Sequence, residues 1–548
     1  MRPTLALHRQ ALAAHADRLA RFLRGELSAD EWRPIRLSYG LYYQLDHTSH
    51  MQRIKIPGGM LTADQLDVLA DVADRYGRGV AHVTTRQDLQ IHWVPVERII
   101  DLYEQLLAVG ITNRGACSDS VRNVTACPYA GIAPDEAFDV APYCLAVHEY
   151  FLFNPLNLTL PRKFKIALEG CPCDCAQAPV NDIGLYATVR DGARGFAVHA
   201  GGGLGSQPFL ARPIRDFIPA EDLLVWCEAI VRVQHRYGER KNRNKARMKY
   251  VVQKMGLEGF RQTVEEAVRC VEAERGEELR AEVAAAVRDY RVPPPPPAPE
   301  PTAAHPDFAR WRRVAARPQR QAGYFAALVH VPLGDLTTAQ MRGIAAAARA
   351  YGNGTLRTTN DQNLLLPWVP ETALPALHQA LLALGLAEPE AGTIHDVVSC
   401  PGMDYCSLAI TRSMGVADRI RDHLAAVAGD GFAERLGPFG VKVSGCPNSC
   451  GQHHVGDIGL TGHSVTGEDG VQRPYYSILV GGRVGEGLAR VGRRLGRFRE
   501  EDTPAVIAAL ARTYADERED GESFADFVDR VGLKRLADVA AAAAAGSA

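Results

Sequence analysis

No stretch of this 548-residue chain approaches the ~20 consecutive apolar residues that a bilayer-crossing helix needs, which argues against a helical membrane protein. The amino terminus, MRPTLALHRQALAAHADRLARFL, has the pattern of an amphipathic helix interrupted by His, Arg and Asp. It lacks the apolar run and small-residue cleavage site of a secretory signal, so the cytoplasm is the expected location. Charge of one sign is lacking too. Lys+Arg number 62 against Asp+Glu 64, a formal net charge of −2, so no global field draws nucleic acid or an acidic membrane surface, and any anion site must be local. The dinucleotide fingerprint G-x-G-x-x-G is missing as well. In GGGLGS the glycines fall at Gly201, Gly202, Gly203 and Gly205, an order that fits tight turns better than a phosphate cradle. Disorder of the bulk is excluded by 46% hydrophobic and 23% charged residues.

Twelve cysteines are present, and in a long chain of the reducing cytoplasm they are expected as ligands or buried thiols rather than as a disulfide framework. Proline clusters in RVPPPPPAPEPTAAHP, residues 291–306, which cannot build a helix or inner strand and reads as a linker. The segments on either side of it repeat. GCPCDCAQAPVNDIGLYA at 170 aligns without a gap on GCPNSCGQHHVGDIGLTG at 445, with ten of eighteen positions identical. HVTTRQDLQIHWVP at 82 matches LRTTNDQNLLLPWVP at 356 with one insertion, and VHAGGGLG at 198 matches LVGGRVG at 479 in the same order. The chain is therefore an internal duplication. In each half a helical pattern ending in glycine, at Gly77 or Gly352, precedes a hairpin, and KFKIAL and VKVSG are predicted strands running into the cysteine loops. The fold class is α+β.

SCPGMDYCSLAITRS supplies Cys400 and Cys406 with five residues between them, and GCPNSC supplies Cys446 and Cys450 with three. Four soft thiolates from two loops, with no histidine required, suit a cubane iron–sulfur cluster, with a zinc site or inert buried thiols as the alternatives. His453 and His454 are expected to cap backbone or face solvent. The first half keeps part of the set: Cys127 aligns with Cys400, Cys171 and Cys175 with Cys446 and Cys450, and Ala133 stands where Cys406 does. Cys173 is additional and Cys117 lies nearby, but a second cluster is not expected. Cys144, Cys227 and Cys270 fall in helical patterns, where small apolar core thiols are expected.

Cations follow the opposite asymmetry. Lys163 and Lys165 sit two apart in LPRKFKIAL, a spacing that puts both on one face of a strand, and their counterparts are Pro438 and Gly440. Arg86 in TTRQD corresponds to Asn360, and Arg122 in VRNVTACP to His395. Each alone reads as a solvated surface charge. Together, on one side only and beside the repeated motifs, they predict a cavity for an anionic substrate or a carboxylate-rich cofactor.

These residues resemble a family, the siroheme-containing sulfite and nitrite reductases, over nearly the whole chain. The match rests on CPGMDYC and CPNSC, on TTRQ, RNVTACP and LPRKFK, and on the duplication. The resemblance implies one 4Fe-4S cluster held by Cys400, Cys406, Cys446 and Cys450, with Cys450 shared with the iron of one siroheme. It implies a catalytic set of Arg86, Arg122, Lys163 and Lys165 around the oxyanion, and siroheme contacts from Arg53, Arg162, Gln362 and Asn448. It also implies an N-terminal helical or extended segment at 1–45, a ferredoxin-like half-domain at 46–115, and a siroheme/Fe–S-type domain with incomplete cluster ligands at 116–290. After the linker follow a second ferredoxin-like half-domain at 307–390 and the cluster-bearing domain at 391–548. Sulfite reductases of the family resemble RKFK with its second lysine, where plant-type nitrite reductases have asparagine, so reduction of sulfite to sulfide is the expected activity and nitrite to ammonia the alternative. No flavin or ferredoxin module is recognised, so electrons are expected from a separate ferredoxin or flavoprotein, to a monomer without nucleic-acid or membrane partners.

Overall fold

Two helices, Leu5–Leu23 and Ala29–Ser38, lead the chain into its first sheet, the second of them started by a capping box between Ser28 and Glu31. The structure is a computed structural model that describes residues 4–46, 48–300, 302–427, 429 and 431–546. Of the divisions drawn above, residues 1–3, 47, 301, 428, 430 and 547–548 lie outside the described residues.

The duplication is physical, and the two copies are interlocked. The smaller sheet of the first half runs Leu41–Tyr43, His50–Ile54, Leu89–Val94, Val80–Val83, and its fifth place is filled by Asp335–Thr337 from the second half. The second half reciprocates. Ala316–Pro318, Tyr324–Val329, Leu364–Pro370 and Thr355–Thr358 are completed by Met60–Thr62 from the first half. Each donated strand runs straight into a helix, Ala63–Tyr76 or Thr338–Tyr351, opened by matching capping boxes at Thr62/Gln65 and Thr337/Gln340 and closed at Gly77 or Gly352 as the sequence predicts. These helices pack together and share one apolar core with both sheets, through Leu66, Leu69, Met341 and Ile344 among others. Arg342 bridges to Asp71 and Asp74 and Arg349 to Asp64 and Asp67 across the same contact. Those pairs are exposed and contribute little beside the burial.

The larger sheets repeat one topology. Thr125–Ala126, Ile166–Glu169 and Ile183–Arg190 are parallel, and Ala193–Ala200 and Arg212–Pro219 continue antiparallel. Val398–Ser399, Val441–Ser444, Ile458–Thr466, Gln472–Val480 and Arg493–Arg499 do the same in the second half. Each sheet has its own core, closed by Leu223–Tyr237 and the long helix Met248–Asp289 in one case and by Thr503–Glu517 and Phe524–Gly546 in the other. The carboxyl ends of the parallel strands carry the cysteine loops.

Three expectations change. The regular strand begins only at Ile166, so Lys163 and Lys165 precede it. They flank Phe164, whose backbone makes a single bridge to Val121 and whose ring is fully buried, so alternation still turns both lysines away from that core. Cys144 and Cys227 are buried helical thiols, but Cys270 is exposed. The described residues of 291–306 form no helix or strand, yet the segment is fastened to the second half: Asn353 donates to the Pro293 carbonyl at 3.2 Å and Gln379 to that of Ala303 at 2.8 Å. Among the described residues no helix is long and apolar enough to cross a membrane.

Candidate active site

Cys400 leaves the short strand Val398–Ser399 and donates its backbone N–H to the Val443 carbonyl at 3.2 Å, which sets the first cysteine loop beside the second. The Gly445 N–H points at Cys400 Sγ at 3.3 Å, the Ser413 hydroxyl lies 3.3 Å from the same sulfur, and the Leu408 N–H points at Cys406 Sγ at 3.4 Å. Donors aimed at sulfur stabilise thiolates. The turn between Cys400 and Cys406 needs Gly402, at φ +57, where a Cβ would stand 2.3 Å from Ser413 Oγ. Cys400 and Cys446 are buried, Cys406 is half-buried and Cys450 exposed, and none is in a disulfide. The charge of Cys450 acts on the other three, raising each thiol further above the range that burial already sets. Three thiols raised by burial, set beside Cys450 with N–H donors aimed at sulfur, fit a cationic inorganic centre that would ionise them, so the four residues suit a cluster.

Cations of the first half face that set across the interface between halves. The Thr85 hydroxyl donates to the Cys450 carbonyl at 2.7 Å and Gln452 Nε2 to the Thr85 carbonyl at 3.2 Å, so the TTRQ loop is seated on the cysteine loop. Lys163 is pushed down to about 7, first by burial, with Cys450 acting against the shift and Arg247, Arg122 and Arg162 adding to it. Lys165 is held well below the ordinary lysine range by burial, then by Arg86 and Lys163. Arg86 is lowered to about 10, again by burial first. Its Nη1 donates to Asn181 Oδ1 at 2.8 Å and its Nη2 to the Asn123 carbonyl at 2.5 Å, while its buried Nε has no partner. Arg122 donates through Nε and Nη2 to the Ser118 carbonyl, at 3.1 and 2.7 Å. Like charges crowded out of water, with a guanidinium nitrogen left unpaired, form a receptor for an anion.

The structure adds residues that no local pattern marked. Lys55 is buried beside Arg122, Arg114 and Arg86 and lowered to about 8, chiefly by burial. Asp88, the carboxylate among these cations, is raised to about 6 by burial although Arg53, Arg86 and Lys55 oppose it. Asp182 accepts from Arg247 at 2.7 Å and from the Lys165 backbone N–H at 2.9 Å, which fixes the lysine segment. The Tyr42 hydroxyl is in contact with Cys117 Sγ.

Of the four residues matched to siroheme contacts, Arg53 lies 3.9 Å from Asp88 and Arg162 lies 3.7 Å from Asp119, both partly exposed. Asn448 is exposed next to Cys446, whose thiol its side chain and backbone reach. Gln362 is different. Its Nε2 lies 3.1 Å from His82 Nε2 and donates to the Val83 carbonyl at 2.9 Å, and its Oε1 accepts from the Ser399 N–H at 2.9 Å, so its amide is engaged within the fold. His453 and His454 are buried rather than solvent-facing, and His454 Nδ1 bonds Ser449 Oγ at 2.9 Å.

Known proteins resemble this chain over most of its length. Residues 117–271 and 390–545 each match the nitrite and sulphite reductase 4Fe-4S domain, and residues 43–109 and 317–384 the nitrite/sulfite reductase ferredoxin-like half domain. The chain is 33% identical over 470 residues to the ferredoxin–nitrite reductase of Synechococcus elongatus, covering 84% of this chain and 85% of that one. It is 31% identical to the chloroplastic ferredoxin–nitrite reductase of Arabidopsis thaliana, covering 84% and 76% of the two chains. It is also 31% identical to the assimilatory ferredoxin-dependent nitrite reductase of Haloferax mediterranei, covering 93% and 87%. The solved structure of the Mycobacterium tuberculosis NirA protein superposes with a TM-score of 0.78 at 25% identity, over 93% of this chain and 92% of that one. The chain belongs to the nitrite and sulphite reductase family of oxidoreductases, whose siroheme and 4Fe-4S cluster are its cofactors.

Proposed function

We propose that the chain is a ferredoxin-dependent nitrite reductase that takes nitrite to ammonia, as a monomer in the cytoplasm. The observation that carries this reading is the buried first-half cation cluster facing Cys450, in a chain whose relatives over most of both lengths are named ferredoxin–nitrite reductases. Cys400, Cys406, Cys446 and Cys450 would hold the cluster, Cys450 would be shared with the siroheme, and Arg53, Arg162 and Asn448 would meet the siroheme's polar edge. When bound, these groups supply the electrons that no side chain can store. Arg86 and Arg122 bind and orient the anion. Lys163 and Lys165 neutralise its charge in a site partly shielded from water and hold the protons with which oxygen leaves as water. Arginine stays protonated, so the lysines are the proton donors.

One observation favours a second reading, reduction of sulfite to sulfide. Lys165 places a second cation beside Lys163, and sulfite is partly dianionic near neutral pH where nitrite is a monoanion. The deciding measurement is kcat/KM of purified holoenzyme for each anion with reduced ferredoxin. Nitrite is expected to be the better substrate. A clear preference for sulfite would replace the first reading with the second, and turnover of neither would remove both.

A further inference from the structure

In the first half, Cys127, Cys171 and Cys175 arrive by the route that the cluster ligands take in the second. Cys127 follows the short strand Thr125–Ala126 and donates its N–H to the Leu168 carbonyl at 3.1 Å, as Cys400 does to Val443 at 3.2 Å, and the other two follow the neighbouring parallel strand. The result differs. The three first-half sulfurs lie within 4.8 Å of one another, and Cys127 Sγ and Cys171 Sγ are 3.6 Å apart. It is the one such group of three among the described residues, so the second-half thiols are spread more widely. The distinction is chemical. Sulfurs that share one tetrahedral ion at ~2.3 Å stand about 3.8 Å from each other, whereas cubane ligands sit on separate irons and must stand further apart.

We propose that Cys127, Cys171 and Cys175 form a second metal centre that binds one zinc ion, separate from the cluster, with its fourth position open toward a cavity on the pseudo-two-fold mate of the anion site. Three further observations point the same way. Glu169, on the strand leading to Cys171, is 1% exposed, its Oε1 accepts from the Ala176 N–H, and its side chain is within hydrogen-bond reach of Asp174. A buried acidic side chain beside three thiols is suited to the outer shell of a cation. The cavity, of about 740 Å³, is lined by Cys173 and Cys175 and by Asp361, Asp396 and Asp457. Pro438 and Gly440 stand there in place of the lysines and Lys442 is paired with Asp361 at 2.6 Å, so the wall lacks the crowded lysine pair of the anion site and sets acidic groups among Arg313, Arg317 and Arg483. Ala133 at the position of Cys406 leaves three protein thiolates, the number that zinc accepts with one exchangeable position.

The test is elemental analysis of holoenzyme purified without added zinc or chelator. About one zinc per chain is expected beside the iron of one cluster and one siroheme, and Cys171→Ser and Cys175→Ser, measured separately, should each lose the zinc while keeping the siroheme and cluster spectra. If either variant fails to fold, cobalt(II) exchanged into the wild-type protein reports directly, through tetrahedral cobalt–thiolate absorption. Iron sufficient for two clusters, absence of zinc with two thiols fewer than the sequence provides, or zinc retained in both variants would each overturn the proposal.

Discussion

Lys163 and Lys165 carry the sharpest consequences at the scale of single residues. With no anion present Lys163 is lowered to about 7, because burial disfavours its ammonium form more than Cys450 favours it. Its charge is therefore lost as pH rises through about 7, well before the usual lysine range. An arriving anion raises that value, so binding above pH 7 takes up a proton and weakens with rising pH, by up to about tenfold per unit. Between about 7 and the ordinary lysine value the unfolded chain binds the proton that the fold does not, so this group's contribution to stability increases with pH over that window. Titration calorimetry of the anion in buffers of different ionisation enthalpy should show proton uptake at pH 8 in the wild type and a smaller uptake in Lys163→Gln, the remainder belonging to Lys165 and Lys55. An equal uptake in both would assign the proton elsewhere. Lys165 bears on substrate choice. Lys165→Asn should lower kcat/KM for sulfite by at least about tenfold relative to nitrite, a difference of about 1.4 kcal/mol that one cation in a partly desolvated site supplies. Equal losses for both anions would make Lys165 a general anion or proton group.

At the scale of elements, loops held by side-chain amides decide where these residues sit. Gln87 and Gln362 occupy equivalent turns in the two halves, both in the left-handed region, at φ +58 and +66. Gln87 bonds the Ala126 N–H and carbonyl and the Thr358 carbonyl, and Gln362 bonds Ser399 and Val83, so each ties its own half's cysteine strand to a hairpin of the opposite half. Gln362→Leu would leave the buried Ser399 N–H and Val83 carbonyl without these partners, at about 1–3 kcal/mol each. A fall in Tm of several degrees is expected, with cluster content reduced because Ser399 precedes Cys400. An unchanged Tm with a shifted siroheme spectrum would instead return Gln362 to the cofactor-contact role that the resemblance implies. This is also where the sequence stops being readable. The ligand cysteines are legible because their spacing is local, and the helices Ala63–Tyr76 and Thr338–Tyr351 because their caps and apolar period are local too. Gln362 is not, because its partners His82 and Val83 lie about 280 residues away, and neither is Lys55, a lone lysine in IKIPGG whose burial depends on Arg114 and Arg122. The three first-half thiols could be counted, but their closeness depends on how two loops fold back.

At the scale of the whole molecule, duplication read from the sequence does not reveal that the copies are interlocked. Asp335–Thr337 completes the first half's smaller sheet and Met60–Thr62 the second's, so neither half alone has a finished smaller sheet. Either fragment would expose the unpaired edge of Val80–Val83 or Thr355–Thr358, together with the apolar face of Ala63–Tyr76 or Thr338–Tyr351, and an open hydrophobic edge invites aggregation. The site is divided in the same way, cations on one half and cluster thiols on the other, joined by Thr85 to Cys450 and Gln452 to Thr85. The proline-rich segment carries no element of either sheet. Cutting the chain there should therefore remove connectivity without removing structure. Fragments 1–296 and 297–548, expressed together, are expected to co-purify as one complex with siroheme and cluster bound and with turnover within about tenfold of the intact chain. Expressed alone, each should be insoluble or recovered as aggregate, because burial rather than the exposed arginine–aspartate pairs holds the halves together. Co-purification should accordingly survive high salt, which screens those pairs and strengthens burial. A second fragment that is monomeric on its own and loads both cofactors would show that the cluster-bearing half folds independently, and that the exchanged strands are an accessory to the assembly rather than its basis.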